Sequence, residues 1–308
     1  MTWENRTFNS NFILLGIFDY SPNHIFLFSL VLGIFSVVFM RNTAMILFIY
    51  LDTHLHSPMY FLLNQLSLMD LMLICTTVPK MAFNYLSCRK SISLAGCGAQ
   101  IFFYVSLLGA ECSLLAAMAY DRYVAVCHPL WSSAPKSQKI RGLMAASSFI
   151  LGSLDGIIEV VVALSFPYCG AQEIHHFFCD IPALLTLSCA NTLLLERMIF
   201  ICCVMLLFPV AVITASSARV LLAVIHMGSG ESRRKAFAPC SSHLMVVGMY
   251  YGAAMFIYLR PASDRSPTQD KTVSAFYKVL TPVLNPLSLH SKEVARVRKV
   301  LGRGTSGE

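Results

Sequence analysis

The sequence predicts an all-α membrane protein: a bundle of seven transmembrane helices with its N-terminus outside the cell and its C-terminus in the cytoplasm. Three observations lead to this fold class. Of 308 residues, 56% are hydrophobic and 13% are charged, which is about half the charge expected of a soluble domain. Long apolar runs recur along the chain, and lysine and arginine are concentrated on one side of them.

Seven apolar runs account for most of the chain. In order, they occupy residues 25–50, 58–83, 99–120, 142–166, 193–225, 236–259 and 272–289. Most can cross a hydrocarbon core of about 30 Å, and lipid cannot satisfy free backbone groups, so each run is predicted to be a helix. The loops are too short for a second core, and we find no repeat, low-complexity tract or signal peptide. We expect one domain over residues 1–308, with an extracellular segment 1–24, a bundle 25–289 and a cytoplasmic tail 290–308.

The basic residues set the predicted orientation. Thirteen lysines and arginines fall on the side that holds the C-terminus and eight on the other, and the positive side is cytoplasmic. Asn5-Arg6-Thr7 is the chain's only Asn-x-Ser/Thr triplet, so Asn5 is a candidate glycosylation site outside. The net charge of +7 is explained by these flanks. The expected partner is therefore the lipid bilayer and not nucleic acid.

Four of the eleven cysteines fall on the outer side, at helix ends or in the long loop before the fifth run, where disulfides persist: Cys97, Cys169, Cys179 and Cys189. Cys88 is a further thiol on that side. Four cysteines allow three pairings, and sequence spacing does not choose among them.

The same loop holds a possible metal site, because His175, His176, Cys179 and Asp180 are all potential ligands. A disulfide at Cys179 would prevent zinc binding there, so no metal is expected. The chain also lacks a Ser/His/Asp order, a phosphate-binding glycine loop and a His-Glu-x-x-His helix. The sequence therefore predicts a protein that is not an enzyme.

An acid–base pair stands at the inner end of the third run. Asp121 and Arg122, followed by Tyr123, lie where the bilayer gives way to water, so their charges can be used rather than buried. This arrangement indicates the switch of a membrane receptor. The alternative is an ordinary juxtamembrane arginine.

Polar residues inside four of the runs predict a buried cluster. Asn42, Asp70, Glu111 and Asn285 lie within the first, second, third and seventh runs, where a charge is costly unless it faces the interior or is paired. Two carboxylates in one site can hold a cation, and otherwise one of them is protonated at neutral pH. We therefore expect a sodium- or proton-sensitive element near Asp70 and Glu111. A purely structural hydrogen-bond network is the alternative.

One face of the third run is a candidate ligand site. Ile101, Tyr104, Val105, Leu108 and Cys112 recur at three- and four-residue steps, which places them on the same side of a helix. Periodicity alone shows that this face is packed, and ordinary core packing would give the same pattern.

Several motifs occur in order along the chain: residues 55–61 (LHSPMYF), residues 118–130 (MAYDRYVAVCHPL), the cysteines at 169, 179 and 189, and residues 235–244 (KAFAPCSSHL). In these motifs the chain resembles the vertebrate olfactory receptors, a subfamily of the rhodopsin-like G-protein-coupled receptors, over about residues 5–301. The resemblance implies an odorant sensor of the ciliary plasma membrane that couples to a stimulatory G protein and raises cAMP. It also implies disulfides joining Cys97 to Cys179 and Cys169 to Cys189.

By the same resemblance, the face of the third helix lines an odorant cavity together with residues of three later helices. These are Ile201 and Met205 of the fifth run, Tyr251, Ala254 and Tyr258 of the sixth, and Ala275 and Lys278 of the seventh. Such a cavity suits small, volatile, apolar molecules with a single polar group. Met205 would supply adaptable packing, and the tyrosines would supply hydrogen bonds.

Two other classes of membrane protein fit parts of the sequence. Lys278 could form a Schiff base, as in a light sensor, although it stands one residue nearer the outer helix end than the lysine of the opsins. A transporter or channel would contain repeats and discontinuous helices, and the chain has no repeat. The motifs therefore favour a ligand-gated receptor.

The chain departs from the olfactory receptor pattern in four places. Arg41 stands where glycine is usual, at a cost of about 2.5–3.5 kcal/mol on insertion scales. Ser217 replaces a usual tyrosine, and Pro239 removes a backbone donor near the inner end of the sixth helix. The ending of the seventh run, residues 285–292 (NPLSLHSK), is two residues shorter than usual and lacks a tyrosine. The two tyrosines that close around Arg122 in similar receptors are thus absent, which predicts impaired signalling.

Overall fold

The computed structural model describes residues 11–15, 24–51, 58–87, 90–128, 135–165, 167–168, 173–174, 176, 178–185, 187, 193–226, 247–248, 251–252 and 255–256. Within these residues the helices are α1 (His24–Leu51), α2 (Pro58–Ser87), α3 (Leu94–Cys127), α4 (Pro135–Ser165), α5 (Ile181–Leu185) and α6 (Leu193–Ile225). Over the same residues, all but the five-residue α5 are long and apolar enough to cross a membrane.

The first five predicted spans are confirmed as helices, and α6, the fifth of them, has the predicted bounds. α3 begins five residues before its apolar run and ends seven residues after it. The apolar run marks only the part that crosses the hydrocarbon core, and the helix continues beyond it at both ends. Its start is fixed by Ser93, whose hydroxyl accepts the Gly96 N–H at 3.0 Å. The seventh predicted span lies outside the described residues. In the sixth, the described pairs 247–248, 251–252 and 255–256 are helical.

The end of the bundle at which α3 begins also contains β-structure, which the prediction of an all-α chain did not include. Three short strands, β1 (Asn11–Leu14), β2 (Ser91–Ser93) and β3 (Glu173–Ile174), form a sheet in the order β2-β1-β3. β1 runs antiparallel to β2 and parallel to β3. Alternation along β1 buries Phe12 and Leu14 and leaves Ile13 exposed. The N-terminal segment is therefore paired with the chain just before α3 and with the chain between α4 and α5.

An aromatic contact joins this sheet to the end of α4. The ring of Phe12 meets the ring of Tyr168 edge to face, with centroids 5.4 Å apart. Burial raises the pKa of Tyr168 to about 12. Its hydroxyl therefore stays protonated at neutral pH and donates to the carbonyl of Ala163 in the last turns of α4.

α3 is the central helix of the described bundle. In its most apolar 18-residue stretch 83% of the residues are buried, against 6% for α1 and 22% for α4. It packs against α2, α4 and α6, while α1 packs against α2. Large apolar side chains such as Phe26, Leu143 and Leu151 are exposed on α1 and α4. Exposure of this kind on helices of this length is what lipid contact requires.

Glycines bring α4 against α3. A Cβ on Gly152 would lie 2.3 Å from the Ser106 carbonyl oxygen, and one on Gly156 would lie 2.1 Å from the Ser106 hydroxyl. Gly109 of α3 is also close, since its Cβ would lie 3.3 Å from the Cα of Gly152. Small residues four apart allow helix backbones to approach closely in a membrane. This contact holds α3 in a fixed position beside α4.

Candidate functional site

The loop between α4 and α5 is joined covalently to the start of α3. Cys97 and Cys179 form a disulfide with their Cα atoms 5.4 Å apart, which confirms the first predicted bridge. Both residues are buried. Cys169 and Cys189 lie outside the described residues, so their bridge stays a prediction, as does glycosylation at Asn5.

Phe178 of this loop lies over Tyr104 of α3, and His176 packs against Phe178. The ring centroids of Phe178 and Tyr104 are 5.2 Å apart, and His176 meets Phe178 edge to face at 4.4 Å. All three residues are buried. The disulfide thus places an aromatic cover over the outer end of the predicted ligand face.

Gln100 is a contact residue that no sequence pattern indicates. Its side-chain oxygen accepts the backbone N–H of Cys179 at 3.0 Å, and its side-chain nitrogen donates to the Thr76 carbonyl at 3.3 Å. The residue is buried between α2, α3 and the loop. A polar residue one turn after Cys97 was the only available signal in the sequence.

Two of the four potential metal ligands in the loop have other roles. The sulfur of Cys179 is in the disulfide. The Asp180 carboxylate accepts the Ile181 N–H at 3.0 Å, at the start of α5, and the Asp180 carbonyl accepts from Leu184. Asp180 is therefore a helix-capping residue. His175 lies outside the described residues.

The five positions predicted to share a face of α3 are all buried: Ile101, Tyr104, Val105, Leu108 and Cys112. Tyr251 of the sixth span is also buried, with its hydroxyl close to the Cys112 thiol and near the Glu111 carboxylate. The structure therefore brings one predicted residue of the sixth span to the inner part of this face. The side chains of Ile201 and Met205, and all of Ala254, Tyr258, Ala275 and Lys278, lie outside the described part of the chain.

The three described members of the predicted polar cluster are buried. Asn42 and Asp70 have no exposed surface, and Glu111 is 1% exposed. They lie on α1, α2 and α3, which pack in that order. The amide of Asn42 donates to Val38 within its own helix at 3.1 Å, and Glu111 is near Tyr251. The convergence of all four residues stays a prediction, because Asn285 lies outside the described residues.

Near the C-terminal end of α3, Asp121 is paired with Arg141 of α4. The Arg141 guanidinium contacts the Asp121 carboxylate, and the two side chains are 5% and 10% exposed. Arg141 was counted in the sequence only as one of the cytoplasmic charges. Its partner could not be inferred, because the pairing depends on how α3 and α4 cross. The described partner of the acid in the predicted switch is thus Arg141 of the neighbouring helix.

Tyr123 is turned toward the end of its own helix. Its hydroxyl lies 3.3 Å from the Nε2 atom of His128, and the two rings meet edge to face. His128 ends α3, with its N–H donating to the Val124 carbonyl. Arg122 and Tyr123 are both half-buried. Of the predicted switch residues, Asp121 is therefore the most enclosed.

The structure locates two of the four departures from the family pattern. Arg41 is half-buried in α1, ten residues before the helix ends, and Ser217 is half-buried in α6. Pro239 and residues 285–292 lie outside the described residues. The effect of these departures on signalling stays a prediction.

Two acidic residues inside the fourth span were not included in the predicted polar cluster. Asp155 and Glu159 are half-buried and stand one turn apart on α4. A carboxylate oxygen of Asp155 lies 3.7 Å from the place a Cβ would take on Gly109. The rule that identified Asp70 and Glu111, a charged residue inside an apolar run, would also have found them.

The comparisons with known proteins agree over the whole chain. A family model described as olfactory receptor matches residues 30–303. Human olfactory receptor 2M3 is 70% identical over 312 aligned positions, covering all of both chains. Human olfactory receptor 2M7 is 67% identical with the same coverage, and mouse olfactory receptor 2V1 is 57% identical over 98% of this chain and 97% of its own. The 312 positions exceed the 308 residues here, so at least four residues of 2M3 have no counterpart.

This match favours a receptor over the enzyme, light-sensor and transporter alternatives. The chain belongs to the olfactory receptor family: it is an odorant-sensing G-protein-coupled receptor and a multi-pass membrane protein, not an enzyme.

Proposed function

We propose that the chain is a seven-span receptor with its N-terminus outside, which binds a small volatile odorant and activates a stimulatory G protein to raise cAMP. Its expected place is the plasma membrane of olfactory cilia. The observation that carries this proposal is that α3 joins two sites. Its outer half carries the buried face under Phe178, and its inner end carries Asp121 and Arg122. Tyr104 and Asp121 are 17 residues apart, or about 26 Å along one continuous helix.

The proposed orientation is supported by charges at both ends of the described helices. Lys80 donates to the Ser91 carbonyl at 3.4 Å, on the side of the disulfide and the sheet. Arg122 and Arg141 lie at the opposite end, with the larger group of basic residues. Disulfides persist outside the cytosol. These features favour an extracellular sheet and a cytoplasmic switch.

The proposed ligand chemistry follows from the side chains on the α3 face. Ile101, Val105 and Leu108 supply an apolar wall, while Cys112 and Tyr251 supply a thiol and a hydroxyl at its inner part. A pocket that is mostly apolar with few polar groups binds small apolar molecules and orients them by one polar group. An odorant with a single hydroxyl, carbonyl or thiol group fits this description.

The switch can be tested through Arg122. An activated receptor must open an inner cleft, and a ligand can favour that state only by binding it more tightly. Arg122→Ala is expected to abolish odorant-driven cAMP and to leave surface expression largely intact. The measurement is a cell-based cAMP assay against a diverse odorant panel, with surface immunofluorescence in parallel.

Arg219→Ala is the matched control, because Arg219 is an exposed cation of α6. It should retain the response at equal surface level. Undiminished signalling in Arg122→Ala would refute the role of Arg122. An odorant response that does not raise cAMP would refute the stimulatory coupling alone.

We also propose that Asp70 and Glu111 form a sodium- or proton-sensitive element. The support is their burial, because two buried carboxylates are not both ionised without a cation. Replacing external sodium by choline at constant ionic strength should shift the odorant concentration for half-maximal cAMP, and Asp70→Asn should remove that shift. The same concentration in both media would rule out sodium and leave a proton-sensitive site or a structural hydrogen-bond network.

A further inference from the structure

The side chain of Gln100 joins three parts of the molecule. Its oxygen accepts from the Cys179 N–H and its nitrogen donates to the Thr76 carbonyl. Since an amide oxygen only accepts and an amide nitrogen only donates, these two partners select one orientation of the side chain. Gln100 is buried, so water does not readily replace either bond.

The first partner controls the direction of the loop. The N–H that binds Gln100 belongs to the peptide group between Phe178 and Cys179. The disulfide holds the sulfur of Cys179, but a bond through a flexible side chain leaves that peptide group free to turn. The hydrogen bond to Gln100 removes this freedom. Phe178, on the other side of the same peptide group, then lies over Tyr104.

The second partner holds Gln100 itself. Thr76 lies three residues before Pro79 in α2. Pro79 has no backbone N–H, so one hydrogen bond of the helix is missing in this turn. In membrane helices, side chains of neighbouring helices commonly bind backbone groups near such a proline. The amide of Gln100 is therefore held from α2 while it holds the loop.

The order of residues on α3 fits this role. Cys97, Gln100 and Tyr104 follow at three- and four-residue steps, so they lie on one side of the helix. Gln100 stands between the disulfide and the first aromatic residue of the ligand face. We propose that Gln100 is a positioning residue for ligand access: it holds the Phe178–Cys179 peptide so that Phe178 covers the outer end of the α3 face. This rests on the proposed function in taking that face to be the odorant site.

The test measures access to the covered face without an odorant or a G protein. Cys112 lies eight residues beyond Tyr104, or about 12 Å deeper along α3, and is buried. Its thiol is a built-in reporter. Intact cells are treated with methanethiosulfonate ethylammonium, and the rate of Cys112 modification is followed in surface receptor by mass spectrometry. A Cys112→Ala receptor gives the signal from all other cysteines, which is subtracted.

Gln100→Leu removes both hydrogen bonds at nearly constant size. It should raise the rate of Cys112 modification by about two- to tenfold, the population change expected from losing one buried hydrogen bond. Gln100→Glu keeps an oxygen for the Cys179 N–H but cannot donate to Thr76, so it should raise the rate less than Gln100→Leu does. Ser93→Ala is the matched control, because it removes one hydrogen bond at the same end of α3 without touching the loop.

An unchanged rate in Gln100→Leu would overturn the proposal. An equal rise in Gln100→Leu and Gln100→Glu would also overturn it, since the Thr76 bond and not the loop would then be responsible. If Gln100→Leu fails to reach the surface, Gln100→Met carries the test, because methionine has nearly the length of glutamine but no amide, so it loses both hydrogen bonds and should show the same rise. Failure of the Arg122 experiment would leave these outcomes untouched, since thiol access does not depend on G-protein coupling.

Discussion

Adding one methyl group to α4, in Gly152→Ala, is expected to remove much of the receptor's thermal stability and surface expression. The new Cβ would lie 2.3 Å from the Ser106 carbonyl oxygen and 2.6 Å from the Ala110 nitrogen. Both are backbone atoms of α3, so no change of rotamer relieves the contact and the helices must separate. Overpacking of this kind costs about 1–3 kcal/mol and occasionally more. The measurement is the apparent Tm of purified receptor in detergent, with surface immunofluorescence in cells.

Two other glycines of α4 serve as controls. Nothing lies within 4 Å of a Cβ on Gly142, so Gly142→Ala should not lower the Tm, and better helix propensity favours it by up to about 1 kcal/mol. On Gly156 the nearest atom is the Ser106 hydroxyl, which can rotate away, and the Phe102 carbonyl oxygen follows at 3.0 Å. Gly156→Ala should therefore fall between the other two. Equal Tm values for Gly152→Ala and Gly142→Ala would contradict the close packing of α3 and α4.

Local periodicity predicted the helices and the buried face of α3 well. The bounds of α6 agree with the apolar run, and Ile101 and Cys112, at the two ends of the predicted face, are both buried. These features depend on neighbouring residues of one helix, so the sequence contains the information directly. The Cys97 disulfide is different, because spacing left three pairings open and the family resemblance selected the observed one.

Features that join distant segments could not be predicted. β1 is four residues long, too short for its alternation to stand out, and its partners lie near residues 92 and 174. Gln100 binds a loop peptide 79 residues away. In the sequence, Arg141 is one of thirteen cations on the predicted cytoplasmic side, and only the crossing of α3 and α4 pairs it with Asp121. Each of these contacts depends on tertiary packing, which no local pattern encodes.

Arg141→Met is expected to destabilise the receptor strongly. The substitution keeps an unbranched stem but leaves the Asp121 carboxylate without the guanidinium that it contacts in a buried site. Removing one partner of a buried ion pair typically costs about 3–5 kcal/mol, because the other charge stays buried. The apparent Tm in detergent and the surface level should both fall. Lys139→Met is the control: Lys139 is exposed on the same helix, and an exposed charge contributes about 0–1 kcal/mol at most.

Combining Asp121→Asn with Arg141→Met distinguishes loss of the ion pair from the cost of leaving a buried carboxylate unpaired. With no buried carboxylate left, the double variant should lose less stability than the sum of the two single variants, by about 0.5–3 kcal/mol of coupling.

The single variant Arg141→Met should also affect the switch, because Asp121 is then left with Arg122, its neighbour in the sequence. Such a receptor should favour the resting state and give less basal cAMP per surface receptor. Additive Tm losses would show that Asp121 and Arg141 act separately. Unchanged basal cAMP with non-additive Tm losses would limit the pair to holding α3 against α4.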